Sequence, residues 1–145
     1  MVLGILISAI SGALMSVQGV FNAEVTKQTS VWLSASFVQL TALFVCVAAW
    51  FVTGREGAVG SLLNVTPKYM LVGGVIGAFI TYTVIISVNT LGPARSAMLI
   101  VSTQLLISYL IELFGLFGVE REPFEWRKGI GIAIVILGFI TFKWK

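Results

Sequence analysis

Residues 91–118 read LGPARSAMLIVSTQLLISYLIELFGLFG, and beyond Arg95 this stretch holds a single charged side chain, Glu112. The run is apolar enough and long enough to cross a bilayer as a helix. Side chains four residues apart share one face of a helix, so Gln104, Ser108 and Glu112 form one polar stripe. Because a carboxylate and an amide are costly in hydrocarbon, we predict that the stripe faces the protein interior or a wet cavity. The alternative is that Glu112 lies near the helix end and reaches the membrane interface.

The composition of the whole chain indicates an integral membrane protein. Of its 145 residues, 58% are hydrophobic and 10% are charged, and the mean hydropathy is +1.04. A soluble domain carries roughly 25% charged residues. The net charge is +3, and the sequence contains no histidine and no aspartate. This nearly removes the usual general bases and metal ligands, and we predict no enzyme activity, metal, cofactor or nucleic-acid partner. The single cysteine, Cys46, is expected to pack as a small hydrophobe.

Hydropathy and turn signals predict an all-α, polytopic membrane protein with five transmembrane helices in one domain, residues 1–145. The predicted helix bounds are 2–23, 31–53, 68–90, 94–118 and 127–143. Thr66 and Pro67 favour a helix start near Lys68, as N-cap and first helical residue. The charged side chains Glu24 and Lys27 are expected in a short loop after the first helix.

Tryptophans mark the ends of two of these helices. Trp32 and Trp50 stand about 27 Å apart at 1.5 Å per residue, which is the spacing of two interfacial aromatic belts. Trp126 and Trp144 repeat this spacing around the last run, whose uncharged part is shorter than the usual range of about 17 to 25 residues. Because flanking lysines can snorkel to the interface, the last run is still expected to span.

Small residues mark the helix faces where another helix could approach closely. In the first helix they recur every four residues, and in the third they crowd the first turns. They are Gly4, Ser8, Gly12 and Ser16, followed by Gly73 and Gly77. The pattern predicts helix–helix contacts, either within the subunit or between two subunits.

Several polar side chains besides the stripe of the fourth helix lie inside apolar helices. Gln18 and Asn22 are four residues apart in the first helix, and Tyr82 in the third is expected to face a cavity. Gln39 is expected to bond a neighbouring helix, because an unpartnered amide in hydrocarbon is costly. The residues predicted to line a path for a substrate or coupling ion are Gln18, Asn22, Tyr82, Gln104, Ser108 and Glu112.

The positive charges do not select an orientation in the membrane. With five spans, one side receives Arg55, Lys68, Arg121, Arg127 and Lys128, and the other receives Lys27, Arg95, Lys143 and Lys145. Orientation follows the lysine and arginine bias of short loops, and here that bias is almost absent. We therefore predict that the chain inserts in both orientations and that two copies pair as an antiparallel homodimer.

One set of motifs carries a family resemblance over nearly the whole length. The motifs are Gly12 with Gln18-Gly19 and Asn22, Gly73-Gly74 with Gly77-Ala78-Phe79, Leu91-Gly92-Pro93-Ala94, Gln104-Leu105 with Glu112 and Gly115, and Trp126 with Gly129 and Gly138. With them the chain resembles the drug/metabolite transporter superfamily, and within it the small five-helix branch of YdcZ type. The resemblance implies a ten-helix bundle of two five-helix halves, here two copies in opposite orientation, in a bacterial inner membrane.

The related small multidrug resistance family carries a proton-coupling glutamate in the middle of its first helix. The present sequence departs from that pattern, because Gln18 is the nearest polar residue and the predicted first span has no acid. Proton coupling, if it occurs, would then depend on Glu112.

The function predicted from these features is a secondary transporter, an exporter of a small metabolite or drug-like molecule that works by alternating access. The alternative is a membrane assembly or binding subunit that transports nothing alone. An ion channel would need a continuous polar pore, and the helices are too apolar for one. The surroundings of the polar stripe separate the transporter from the assembly subunit. A stripe that lines a water-filled cavity favours transport, and one bonded tightly across helices favours assembly.

Overall fold

The computed structural model describes residues 2–55 and 57–143, and within them the chain is helical with no strand. The all-α class is therefore confirmed. Two residues used above, Trp144 in the aromatic spacing and Lys145 in the charge count, lie outside the described residues.

Within the described residues there are five α-helices and three short 3₁₀ segments. The α-helices are α1 (Val2–Gln28), α2 (Val31–Val52), α3 (Gly73–Leu91), α4 (Pro93–Phe114) and α5 (Trp126–Lys143). The 3₁₀ segments are Val59–Asn64, Lys68–Val72 and Leu116–Gly118. Four described segments are long and apolar enough to cross a membrane, namely α1, α2, Lys68–Leu91 and α4. α5 is not among them.

The first helix runs further than its charges suggested. α1 continues to Gln28, so the prediction that Glu24 and Lys27 lie in a loop was wrong. The two side chains form an ion pair of 2.5 Å at a spacing of three residues on the exposed helix surface. The Thr26 hydroxyl also donates to the Asn22 carbonyl at 2.8 Å. Local pairing of this kind lets a helix continue beyond its apolar part.

The sequence predicted that the third helix begins at Lys68, but no regular α-helix begins there. The N-cap is Pro67, which has no side-chain hydrogen bond to offer, and the turn Lys68–Val72 is 3₁₀. The Met70 N–H donates to the Pro67 carbonyl at 3.2 Å, which is the tighter bonding typical of a helix terminus. The α-helical pattern starts at Gly73.

The fourth helix ends at Phe114 and not at residue 118. Gly115 adopts the left-handed conformation, φ 64° and ψ 40°, and its N–H donates to the carbonyls of Ile111 and Glu112. Glycine accepts this conformation without steric cost and is the commonest residue just past a helix end. The chain then turns through the 3₁₀ segment Leu116–Gly118.

Packing divides the chain into two compact units, Met1–Thr90 and Leu91–Lys145. The residues most buried in the first are Gly19, Asn22, Ala23, Ser34, Ala35 and Ile85, and those in the second are Ser96, Ser102 and Ile132. Most of these are small, which is how helices approach closely where lipid removes the hydrophobic drive. Large apolar side chains along all five helices are exposed. These side chains are available to contact lipid or another protein surface.

Candidate functional site

The polar stripe of α4 is arranged along the helix at its predicted spacing of four. Gln104 and Ser108 are exposed, whereas Glu112 lies in the last turn of α4 and is partly buried. The carboxylate of Glu112 lies 3.5 Å from Nζ of Lys128, in the first turn of α5. The structure thus places Glu112 at a helix end with a charged partner. Its part in coupling stays a prediction.

Lys128 is shared between two carboxylates. Besides Glu112 it contacts Glu122 in the loop between α4 and α5 through a direct ion pair and hydrogen bond. The Glu122 N–H in turn donates to the Glu112 backbone carbonyl at 3.0 Å. A cation that binds at Glu112 therefore has to compete with an ammonium group that the chain itself supplies.

The loop between α4 and α5 is tied to the end of α4 by several further contacts. Nε of Arg121 donates to the Leu113 carbonyl at 3.2 Å, and the Glu125 N–H donates to the Tyr109 hydroxyl at 3.4 Å. The rings of Tyr109 and Phe124 lie 6.4 Å apart. The Arg121 side chain satisfies a carbonyl that the helix end leaves without an intrahelical partner, and the Glu125 amide bonds a side-chain hydroxyl of α4. These contacts hold the loop that carries Glu122 against the end of α4.

In the N-terminal unit, the predicted site residues have different surroundings. Gln18 is exposed, whereas Asn22 is buried where α1 meets α2, and its carbonyl accepts a hydrogen bond of 3.2 Å from the Ser34 hydroxyl. The ring of Tyr82 stacks on Trp32, with centroids 4.3 Å apart and an angle of 26°. Asn22 and Tyr82 are therefore engaged in packing, while Gln18 is open.

Gln39 bonds a neighbouring helix, as its position inside an apolar helix predicted. Its Nε2 donates to the Thr81 hydroxyl at 3.3 Å, and that hydroxyl donates to the Gly77 carbonyl at 3.0 Å. A Cβ added at Gly77 would lie 3.7 Å from Nε2 of Gln39. The missing side chain thus gives the amide room beside α3.

The small-residue stripe of α1 is exposed along its length. A Cβ added at Gly4 or Gly12 would meet no described atom of another helix within 4 Å, and Gly73 on α3 is equally open. The close approach of α1 to α3 is made instead at Gly19, where a Cβ would lie 3.7 Å from two valine side chains. A contact of the stripe between two subunits stays a prediction.

The partners of Glu112 were missed from the sequence. Lys128 and Glu122 lie in the charged stretch VEREPFEWRK, and their approach depends on the turn that Gly115 makes after α4. Opposite charges just beyond the end of a predicted helix were the available signal. Among the described residues, no group of three histidine, cysteine, aspartate or glutamate side chains could hold a metal ion.

Comparison with known proteins gives one family. A family model with the description "Putative inner membrane exporter, YdcZ" matches residues 3–141. No curated protein and no solved structure matches the chain.

Proposed function

The chain belongs to the YdcZ family of inner membrane exporters, and from this membership we propose that it is a secondary transporter that exports a small metabolite or drug-like molecule by alternating access. It is a membrane protein of the inner membrane, with several helices able to span the bilayer. Family membership over nearly the full length is the observation that carries the proposal.

The working unit of the proposed transporter is an antiparallel homodimer of two five-helix chains. Substrate sites in transporters of this kind form near the bilayer midplane between inverted repeats, and one chain supplies one repeat. The nearly even division of positive charges supports insertion in both orientations. The exposed small-residue stripe of α1 and the exposed polar stripe of α4 are surfaces that a second copy would cover.

Within this dimer, the exposed side chains of Gln18, Gln104 and Ser108 line the substrate path. Glu112 couples transport to a proton or another cation. Glu112 suits that role because its carboxylate lies 3.5 Å from Nζ of Lys128, an internal counter-cation that also pairs with Glu122. The full proposed set is Gln18, Asn22, Tyr82, Gln104, Ser108 and Glu112.

The test of transport is uptake and release by the purified chain in liposomes, with a panel of metabolites and organic cations, with and without a pH gradient. Glu112→Gln should abolish coupled transport and leave assembly intact. Glu24→Gln is the matched control, because it removes an exposed carboxylate at the end of α1. Normal coupled transport by Glu112→Gln would show that this carboxylate has a structural role only.

The test of orientation uses a cysteine introduced at one terminus of a Cys46→Ser chain and an impermeant thiol reagent in native membranes. Roughly half of the molecules should react from each side, because the charge bias is weak. Adding two or three lysines to one side should fix the orientation and remove activity. A single orientation of the unmodified chain would contradict the antiparallel dimer.

A second candidate, a subunit that assembles with other membrane proteins and transports nothing alone, is favoured by one observation. Glu112 is bonded within the α4–α5 region rather than left free. The same liposome assay separates the two functions, because an assembly subunit moves no substrate by itself.

A further inference from the structure

A groove of about 510 Å³ lies in the N-terminal unit, between the end of α2 and the segment that follows it. Its walls are mostly apolar, and Cys46 is exposed there rather than packed as the sequence predicted. The lining residues are Cys46, Val47 and Trp50 on α2, and Gly57, Ala58, Val59, Ser61 and Leu62 on the following segment. The groove involves none of the residues assigned to transport above.

The segment that forms the outer wall folds back along α2. Cys46 lines the groove together with this segment. Along the helix axis Cys46 lies about 6 Å before Trp50, at 1.5 Å per residue. Tryptophans near span ends mark the headgroup level of a bilayer. The 3₁₀ segment Val59–Asn64 therefore reaches the depth at which acyl chains begin.

The same segment exposes apolar side chains that water would not stabilise. Val59, Leu62 and Leu63 are 66%, 55% and 78% exposed. Exposed apolar clusters of this kind in a membrane protein lie in the boundary between headgroups and acyl chains. The open side of the groove therefore faces lipid.

A cation lies near the groove, because Arg55 contacts Phe51, whose ring lies 5.1 Å from the ring of the lining residue Trp50. The Arg55 N–H donates to the Trp50 carbonyl at 2.9 Å, and the Arg55 guanidinium lies 4.6 Å from the ring centroid of Phe51. Gly54, with φ 89°, turns the chain at the end of α2 so that Arg55 sits there. A guanidinium at this level is placed to bind a phosphate group with two parallel hydrogen bonds.

We propose that the groove is a phospholipid site, with one acyl chain along the apolar wall and the phosphate at Arg55. The charge of Arg55 near Trp50 and the apolar wall of the groove match the two parts of such a molecule. The volume is that of a small-molecule site, of about 300 to 1,000 Å³. A helix of a second copy, about 10–12 Å across with its side chains, is a poorer fit. The proposal does not depend on transport.

The test measures how fast N-ethylmaleimide modifies the native thiol of Cys46 in the detergent-solubilised chain. Added phosphatidylglycerol should slow the reaction about five-fold at a lipid concentration about four times Kd, because about four fifths of the sites are then occupied. The matched control is Val45→Cys in a Cys46→Ser chain. Residue 45 lies at nearly the same depth, is 69% exposed and does not line the groove. Its modification should change less than about two-fold, since any slowing there reflects only general micelle coverage.

Two variants and a second probe test the phosphate contact. Arg55→Gln should lose most of the protection of Cys46 by phosphatidylglycerol, whereas Lys68→Gln, at the start of the next 3₁₀ segment, should keep it. Oleyl alcohol, which has an acyl-like chain and no phosphate, should protect equally weakly in the unmodified chain and in Arg55→Gln. Circular dichroism checks that each variant keeps its helix content.

Three outcomes would overturn the proposal. Equal protection of Cys46 and of the cysteine at residue 45 would show general coverage by lipid. Protection that Arg55→Gln leaves unchanged would show that no phosphate is bound. Protection that appears without lipid and rises with protein concentration would identify a second copy as the occupant.

Discussion

Replacing Gly115 with alanine should destabilise the C-terminal unit by forcing a side chain into the left-handed turn that ends α4. Gly115 has φ 64°, a conformation that costs a residue with a Cβ about 1–2 kcal/mol. An added Cβ would also lie 3.1 Å from Cβ of Arg121 and 3.4 Å from the Val119 carbonyl oxygen. These atoms belong to the loop that returns to the end of α4, so they must shift.

The two effects together should lower the free energy of unfolding by about 2 kcal/mol, since crowding adds to the backbone cost. A change of this size alters the ratio of folded to unfolded chain by a factor of roughly 30. Because the turn also positions Glu122 and Lys128 beside Glu112, the variant should weaken their ion pairs as well.

The assay is reversible unfolding in mixed micelles of dodecyl maltoside and sodium dodecyl sulfate, followed by circular dichroism. The matched control is Gly138→Ala in α5, where an added Cβ meets no described atom within 4 Å and φ is not positive. That variant should be unchanged or more stable by up to about 1 kcal/mol, from helix propensity alone. Equal stability of the two variants would refute the argument from backbone conformation.

Three further predictions concern helix contacts. A double-mutant cycle of Gln39→Leu and Thr81→Val should give a coupling free energy of about 0.6 kcal/mol in unfolding measurements, the average for hydrogen bonds between membrane helices; no coupling would mean that the bond contributes nothing. Gly19→Leu should destabilise the N-terminal unit, because the new side chain must displace two valines. Gly12→Leu should leave folding unchanged and reduce chemical cross-linking of the dimer. The opposite pattern would place the subunit contact elsewhere. Lys128→Met should lower the stability only slightly, and the loss should vanish at high salt, because exposed ion pairs are weak and screened.

The helical spans could be predicted because hydropathy reports them directly. A run of apolar residues without charge can only be buried or lie in lipid, and the hydrogen-bonding needs of the backbone then require a helix. The helix ends were harder to predict from the sequence. Glu24 and Lys27 suggested a loop because each charge was considered alone, although together they form a neutral pair on a helix. The end of α4 at Gly115 was missed because a single glycine hardly changes the mean hydropathy of an apolar run.

The candidate site shows the same division between local and distant information. The spacing of Gln104, Ser108 and Glu112 follows from the period of a helix and could be stated from the sequence. The partner of Glu112 could not, because it depends on the path of an irregular loop. Likewise, Gln39 was expected to bond another helix, but choosing Thr81 required the relative placement of α2 and α3.

The return of the loop after Gly115 also bears on how the C-terminal unit forms during synthesis. The loop is bound to the last turn of α4 by residues that leave the ribosome soon after it, so little chain entropy opposes their meeting. Contacts close in sequence form fast. We therefore expect the contacts between α4 and the loop to form early, so that Lys128 pairs with two carboxylates soon after it is synthesised. We predict that α5, the described α-helix outside the spans recognised by length and hydropathy, needs this pairing with α4 in order to insert.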